Sequence, residues 1–436
     1  MEYPRILIIG QYFHARSGGG ITLTNLFKDW KKENIAVAAE CIRNPDFSVC
    51  SLYYNMGSLE FKKRFPFNFE IQKNTAKSGV LQEAKNDIFS STILEGKHNV
   101  GQSGIRKTYS SFLKGTGLNN YRKKIQISDK LLSWIKEFSP DIIYSQLSSI
   151  QLIDFVKQLQ TTLALPVAIH IMDDWPMTIG KQGMLKSFWN KRANNKFLKL
   201  IRTSKILMTI SEAMSEEYER RYGQKFTHFH NPIDLKQWGR VAEKSYETNG
   251  KFVVLYAGRI GTGIRTSLCD VANTINKLIK KGFEIEFQVQ ATCYDPILDD
   301  LKKFDFIKLN SPVPYHELPG ILSMADLLLL ANDFDSHSIS FLKYSMPTKA
   351  SEFMISGTPI LLYSSAETAV TKHALKHHWS YIVSEKSEDK LESAISELYK
   401  KIELRRELGK SARKYAIENF DGEKIREQFR KNFILK

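Results

Sequence analysis

Lys349 and Glu352 stand three residues apart within the stretch Ser345 to Leu362, and they carry the clearest chemical signal in the chain. Pro347 suits the start of a short helix and Gly357 its end, while Pro359 opens an apolar run that reads as a buried parallel strand. Such a helix points its first amides, which lack intrahelical partners, into a cleft at the end of a sheet. A phosphate or diphosphate fits there. Glu352 lies about one turn deeper, where a carboxylate can accept two hydrogen bonds from a ribose diol.

The elements that must position this pair alternate along the chain. Arg5 to Gly10 reads as a central strand, followed by a loop ending in Gly18-Gly19-Gly20 and a helix with Leu23, Leu26, Phe27 and Trp30 at helical spacing. Residues 50–129 read as an irregular, partly helical insertion rich in aromatic and basic residues. Regular alternation then returns with strands at 141–146, 166–172 and 205–210, and Ser211 caps a helix closed by Gly223. A second alternating set begins at Phe252, with strands at 252–257, 283–289, 307–309, 326–331 and 359–363. A long loop is expected from Asn332 to Met346, and the tail from Leu404 to Phe433 reads as helical. Two such sets predict an α/β protein with two doubly wound parallel sheets, ligands lying at the carboxyl ends of the strands. The expected divisions are 1–235, 251–415, and a C-terminal helix over 416–436 that crosses back to the first domain.

Bulk properties agree with a folded two-domain chain. It has 436 residues, 42% hydrophobic and 11% aromatic, too long for one ordinary core. Cys41, Cys50, Cys269 and Cys293 are scattered without a CxxC pair, and read as reduced, buried residues of a cytoplasmic protein. No run approaches the roughly 20 apolar residues of a membrane span. Sixty-three Lys and Arg against 47 Asp and Glu give a net charge of +16, concentrated in two windows free of acids. The first, between Glu95 and Asp129, holds Lys97, Arg106, Lys107, Lys114, Arg122, Lys123 and Lys124. The second, between Asp174 and Glu212, interleaves Lys186, Lys191, Arg192, Lys196 and Lys199 with Phe188, Trp189, Phe197, Leu198 and Ile201. It reads either as a basic amphipathic helix for an anionic membrane surface or as an ordinary solvated face. No nucleic-acid-binding motif is present, so nucleic acid is an unlikely partner.

The order of motifs over nearly the whole chain resembles the GT-B glycosyltransferases, in particular the retaining family 4. The resemblance rests on the early glycine-rich loop, Ile210-Ser-Glu-Ala-Met, Asn231-Pro-Ile-Asp, Tyr256-Ala-Gly-Arg, Met324-Ala-Asp-Leu-Leu-Leu and the Glu352 helix. It implies two Rossmann-like domains facing a cleft and a nucleotide-sugar donor, UDP- or GDP-linked, held mainly by the second. Gly18, Gly19 and Gly20 match the family's loop against the donor diphosphate, although a glycine triplet alone is equally a flexible turn. Arg259 matches the cation that neutralises the diphosphate, with Arg265 nearest to its usual lysine partner. His170 matches a histidine contacting the sugar or diphosphate, or else is a satisfied core residue. Asp173 and Asp174 fit either contacts to acceptor hydroxyls, including a base, or caps of a turn.

Two departures from the family stand out. The family's usual first glutamate is replaced by Tyr344, and the loop before it lacks the usual glycine-rich core. The segment instead resembles a subgroup common in bacterial polysaccharide biosynthesis, with a Ser-x-Pro-x-Lys-x-x-Glu pattern. In that subgroup Lys349 takes over phosphate or sugar contacts, and His337 and Ser338 become candidates for the sugar hydroxyls. The resemblance implies a hexosyltransferase acting on a polysaccharide or lipid-linked oligosaccharide, retaining, needing no metal and no cofactor beyond its donor. Adjacent Asp173 and Asp174 do not form the spaced pair of a cation site. The protein would be cytoplasmic or peripheral at the inner face of the plasma membrane. A GT-B nucleotide-sugar 2-epimerase and a non-catalytic GT-B-like binding subunit are the alternatives.

Overall fold

A computed structural model describes residues 3–14, 18–65, 67, 76–83, 113, 115–175, 185–239, 244–261, 263–292 and 294–434. The first half contributes ten strands: β1 (Ile6–Ile9), β2 (Ile35–Glu40), β3 (Leu52–Met56), β4 (Phe61–Lys63) and β5 (Gly79–Leu81), then β6 (Lys123–Ile125), β7 (Ile142–Ser145), β8 (Val167–Ile171), β9 (Ile206–Thr209) and β10 (Thr227–His228). Eight of them form one sheet in the order β10-β9-β8-β7-β1-β2-β3-β5, parallel except where β5 runs against β3, while β4 and β6 pair separately. The second half contributes β11 (Phe252–Gly258), β12 (Ile285–Ala291), β13 (Ile307–Asn310), β14 (Leu327–Ala331), β15 (Ile360–Tyr363) and β16 (Tyr381–Val383). These make an all-parallel sheet in the order β13-β12-β11-β14-β15-β16. Both central strands, β1 and β14, are fully buried aliphatic runs, as a strand covered on both faces requires.

Helices fill the crossovers. Those over the first sheet are α1 (Gly18–Phe27), α2 (Asp129–Phe138), α3 (Ile150–Leu163), α4 (Lys186–Ile201) and α5 (Glu212–Tyr222). Those of the second half include, besides a short helix at Ile297–Leu301, α6 (Arg265–Lys280), α7 (Leu318–Met324), α8 (Ser336–Leu342), α9 (Thr348–Ser356), α10 (Ala369–His377), α11 (Glu388–Lys400), α12 (Ile402–Asn419) and α13 (Gly422–Lys431). Their ends follow local chemistry. Ser211 accepts from the Met214 amide at the start of α5, and Gly357, at φ 73°, closes α9 by donating to the Met354 carbonyl.

Four details differ from the sequence reading. The supposed irregular insertion begins with β3, a full member of the first sheet. Its pattern was masked because Asn55, a polar residue, is buried there and satisfied by the Ile42 amide and the Lys77 carbonyl. The supposed loop before Met346 contains α8, started by Asp335, whose carboxylate accepts from the amides of His337 and Ser338. The helical tail is two helices, broken at Phe420 and Asp421. Cys41 is exposed and Cys269 only half-buried, so of the cysteines among the described residues Cys50 alone is an inert core residue, while Cys293 lies outside them. Lys97, Arg106, Lys107 and Lys114 of the first basic window are also outside the described residues.

The two halves are seamed where the linker meets the tail. Ile233 donates to the Phe420 carbonyl at 2.8 Å and accepts from Gly422 at 2.8 Å. Gly422 is required by that approach, since a Cβ there would sit 2.7 Å from the Ile233 oxygen. From this crossing α13 packs on α1. The Phe429 ring meets Phe27 at 5.2 Å and Phe229 at 5.3 Å, and Arg426, almost buried, pairs with Asp29 at 2.6 Å. One apolar cluster consequently runs through both halves, from Ile6 and Phe27 to Leu255, Leu330 and Phe353.

Candidate functional site

Two helix N-termini define the candidate site. Gly18, Gly19 and Gly20 are the first turn of α1, not a loop before it. The turn follows the end of β1, and it places three residues without side chains where the helix amides have no intrahelical partner. Gly20 needs its bare Cα, since a Cβ there would lie 2.4 Å from the His14 ring, whereas one on Gly19 would make ordinary contact with Gln146 Oε1 at 3.9 Å.

The second N-terminus is that of α9, and it is built with charges. Lys349 projects from the first turn across the end of β11. Its ammonium lies 4.1 Å from the Tyr256 ring centroid and 3.5 Å from the Ala257 carbonyl. Gly258, at φ 139°, leaves the room, because a Cβ there would touch the lysine side chain at 3.4 Å. Burial holds this ammonium down to about 7, against the pull of the Glu352 charge.

Glu352 is 4% exposed and does not face open solvent. Its Oε1 accepts from Tyr315 Oη at 3.0 Å and from Asn231 Nδ2 at 3.3 Å. Asn231 Oδ1 in turn accepts from Asn25 Nδ2 of α1 at 3.0 Å. Burial pushes the Glu352 carboxyl up to about 7, opposed by the Tyr315 and Asn231 hydrogen bonds and by Lys349. The chain Asn25–Asn231–Glu352–Tyr315 ties α1, the linker and α9 together. The sequence reading used Asn231 as part of a family motif without a role in the site, and did not mark Asn25 or Tyr315. Nothing in a single sequence pairs residues 37 to 206 positions apart.

Arg259 follows β11 directly and is exposed, with its backbone carbonyl accepting from Tyr256 Oη at 2.6 Å. Across from it is Asp173, which accepts from Ser345 Oγ at 3.4 Å. The protein mass around the cleft raises the Asp173 carboxyl, and the Ser345 hydrogen bond and the Arg259 charge oppose that rise. The neighbouring Asp174 points the other way. It is buried and held by both terminal nitrogens of Arg221, at 2.9 and 3.0 Å, and by Tyr218 Oη at 3.0 Å. The Tyr344 ring lies 5.0 Å from that guanidinium, and its carbonyl accepts from Ser211 Oγ of the first half at 2.5 Å.

The other expected residues divide. His337 and Ser338 open α8 beside the loop after β11, where a Cβ on Gly263 would lie 3.8 Å from Ser338 Oγ. Ser338 is nonetheless buried and bonded to Asp335. Arg265 is exposed but committed to Asp295, which it contacts through Nε and Nη2 at 2.6 to 3.0 Å. Its place on the first turn of α6 brings it to this local acid. His170 departs from the expectation of a cleft contact. It is wholly buried in β8, with Nδ1 2.8 Å from Tyr144 Oη and its ring 6.4 Å from Phe429. Burial lowers its pKa to about 4. Strand alternation is the reason: the face of β8 that carries His170 is covered by α13. Among the described residues no group of three or more His, Cys, Asp or Glu is arranged to hold a metal ion.

Neither a protein-family model nor a curated protein sequence matches the chain. Solved structures do match its fold. HepE from Anabaena, in complex with UDP-glucose, is 10% identical over 98% of this chain and 99% of its own, with a TM-score of 0.59. A glycosyltransferase from Rickettsia africae is 12% identical over the full length of both chains, with a TM-score of 0.60. WaaG, a glycosyltransferase involved in lipopolysaccharide biosynthesis, is 11% identical over 99% of this chain and 100% of its own, with a TM-score of 0.57. The fold is therefore GT-B, two Rossmann-like units facing a cleft, and at these identities the likeness extends to the fold alone.

Proposed function

We propose that the chain is a glycosyltransferase that moves a hexosyl group from a UDP- or GDP-sugar to a saccharide acceptor. The carrying observation is the placement of Lys349 and Glu352 of α9 at the end of β11, next to Arg259, with α1 tied to them through Asn25 and Asn231. On this reading residues 251–415 form the donor unit and residues 1–235 the acceptor unit, with residues 416–436 returning to the first. Sugar transfer requires stabilisation of a departing diphosphate as positive charge develops on the sugar. Arg259, Lys349 and the two sets of helix amides supply that stabilisation, and the reaction needs no metal ion. Glu352 holds the ribose, since both of its protein hydrogen bonds fall on Oε1 and leave Oε2 for a hydroxyl. His337 and Ser338 line the sugar's corner, and Asp173 orients the incoming hydroxyl. Front-face transfer with retention is the outcome this reading takes from the family resemblance.

Polysaccharide or lipid-linked oligosaccharide synthesis at the cytoplasmic face of a membrane suits the exposed face of α4. Trp189, Phe197 and Ile201 are buried in the core and unavailable for insertion. What remains outside is cationic, with Phe188 54% and Leu185 45% exposed. Attraction to anionic headgroups is worth about 1 kcal/mol per basic residue, so binding should weaken with salt. No helix among the described residues is long and apolar enough to cross a membrane.

The test is a thermal-shift panel of UDP- and GDP-sugars followed by assay of nucleotide release. A nucleotide sugar that raises the melting temperature and is turned over supports the reading, by preferential binding to the folded state. If no nucleotide sugar binds or is consumed, the reading fails.

A further inference from the structure

A cavity of about 610 Å³ lies beside the donor cleft, walled by α4, α5 and the segment after α8. That volume is in the usual range for small-ligand sites. Two adjacent dipeptides separate it from the candidate reacting centre. Asp173 and Ser345 face Arg259, whereas Asp174 and Tyr344 face the cavity. Both units of the fold contribute walls, Asn195 and Tyr222 from the first and Tyr344 and Lys343 from the second.

The charges inside the cavity largely cancel. Arg221 is spent on Asp174 and Glu217, and Arg220 is spent on Glu217. Lys343 lies 3.7 Å from Glu367. Tyr222 Oη donates to Asn194 Oδ1 at 2.8 Å, so what the cavity offers a guest is the Asn195 amide, the Tyr344 phenol and aromatic surface, groups that recognise an uncharged ring bearing hydroxyls.

Asn195 also lines a second hollow, of about 340 Å³, on the same side of α4. Here the electrostatics are different. Lys196 is paired with Asp154, but Lys191, Arg192 and Lys199 have no acidic partner among the described residues. Lys191 and Arg192 are neighbours and Lys199 lies about two turns further along α4, so their long side chains flank one hollow that suits a phosphate or diphosphate. Phe188, more than half exposed, borders them and gives an apolar flank.

We propose that the two hollows form one acceptor track: the neutral cavity takes a sugar ring, and the cationic hollow takes a phosphoester attached to it. The acceptor is then a phosphorylated saccharide, either soluble or carried on a lipid, and the track selects it over the same saccharide without phosphate. This rests on the glycosyltransferase reading and deepens it.

The test uses the full chain and a panel of common hexoses and N-acetylhexosamines in three forms: free sugar, sugar 1-phosphate and dodecyl-diphosphate-linked sugar. Binding is measured directly, and nucleotide-sugar binding is measured in the same preparations. The expected result is that at least one phosphorylated form binds about tenfold more tightly than its free sugar, and that salt erodes the difference. Lys191→Glu with Arg192→Glu and Lys199→Glu should abolish that preference, the variant melting as the parent does. Asn195→Ala should weaken phosphorylated and free forms together. Preference for the dodecyl form over the 1-phosphate assigns a lipid carrier, and equal preference assigns a soluble one. Equal binding of free and phosphorylated sugars, or a preference that survives charge reversal, overturns the track. Absence of nucleotide-sugar binding instead overturns the reading beneath it.

Discussion

The helix starts of α1 and α9, the two proposed to meet the donor, are built by opposite means. At α1 three glycines present backbone and almost nothing else, under a covering His14 ring. At α9 a lysine and a glutamate are pressed into protein, and burial moves each toward its neutral form, near pH 7. The contrast teaches that an anion can be met by dipoles that need no desolvation or by charges whose desolvation must be offset by neighbours. Tyr256, Tyr315 and Asn231 provide that offset at α9.

Breaking what supports α1 should have the largest consequence for the fold. Phe429→Ala removes the ring that seats α13 against Phe27, and a loss of about 3–5 kcal/mol is expected in denaturant unfolding. A loss below about 1 kcal/mol would mean that the tail does not anchor the first helix. For activity, Lys349→Ala should reduce turnover by about 10²–10³, the scale of removing one preorganised charge-stabilising group. Glu352→Ala should in addition lower stability by about 1–3 kcal/mol, because Tyr315 and Asn231 lose their acceptor.

Acidity gives an effect of intermediate size. His170, His230 and His373 are held near 4, 3 and 4, chiefly by burial, with His228 and His373 adding like charge at His230, and His377 and Lys376 at His373. Each binds fewer protons folded than unfolded, so its contribution to stability is intact above pH 6.5 and lost as pH falls below it. Glu352, raised from 4.5 to about 7, runs the other way and contributes stability that declines as pH rises through that window. Three groups outweigh one, so unfolding free energy should fall as pH is lowered from 6.5. His373→Gln should flatten that slope. A protein that becomes more stable on acidification would show that Glu352 governs the profile.

The smallest expected change sharpens the comparison most. Gly20→Ala must displace the His14 ring, which costs about 1–3 kcal/mol if the ring resists and little if it swings away. Nucleotide-sugar affinity should fall by about tenfold if the bare turn is the contact surface. Unchanged affinity with unchanged stability would remove α1 from the donor site and leave α9 to hold the ligand alone.

Much of the fold was legible because its strands are unbroken apolar runs and its helices carry local stop signals. Leu327–Ala331 and Gly357 can be read without knowing any neighbour. β3 was missed because Asn55 breaks the apolar pattern, and α8 because its signal is one capping aspartate. Within the candidate site, Lys349 and Glu352 were legible at a helix start and Arg259 at a strand end, whereas Gly18–Gly20 read as a loop and are the first turn of α1. For His170 the sequence left a cleft contact and a core place open, and only the packing of α13 on the sheet decides that its face is covered. The pairing of Arg265 with Asp295, thirty residues on, is a contact no local pattern shows.

The sequence by itself determined the alternation of elements, the glycine turn and the Lys349–Glu352 pair, because propensity, capping and periodicity act over a few residues. Tertiary structure alone decided what the pair experiences. Asn231 and Tyr315 reach Glu352 from two separate elements, with Asn25 of α1 held behind Asn231, and the protein between them removes the water that would hold both groups at their ordinary ionisation. Burial and long-range hydrogen bonds depend on which surfaces meet, and no local pattern encodes that.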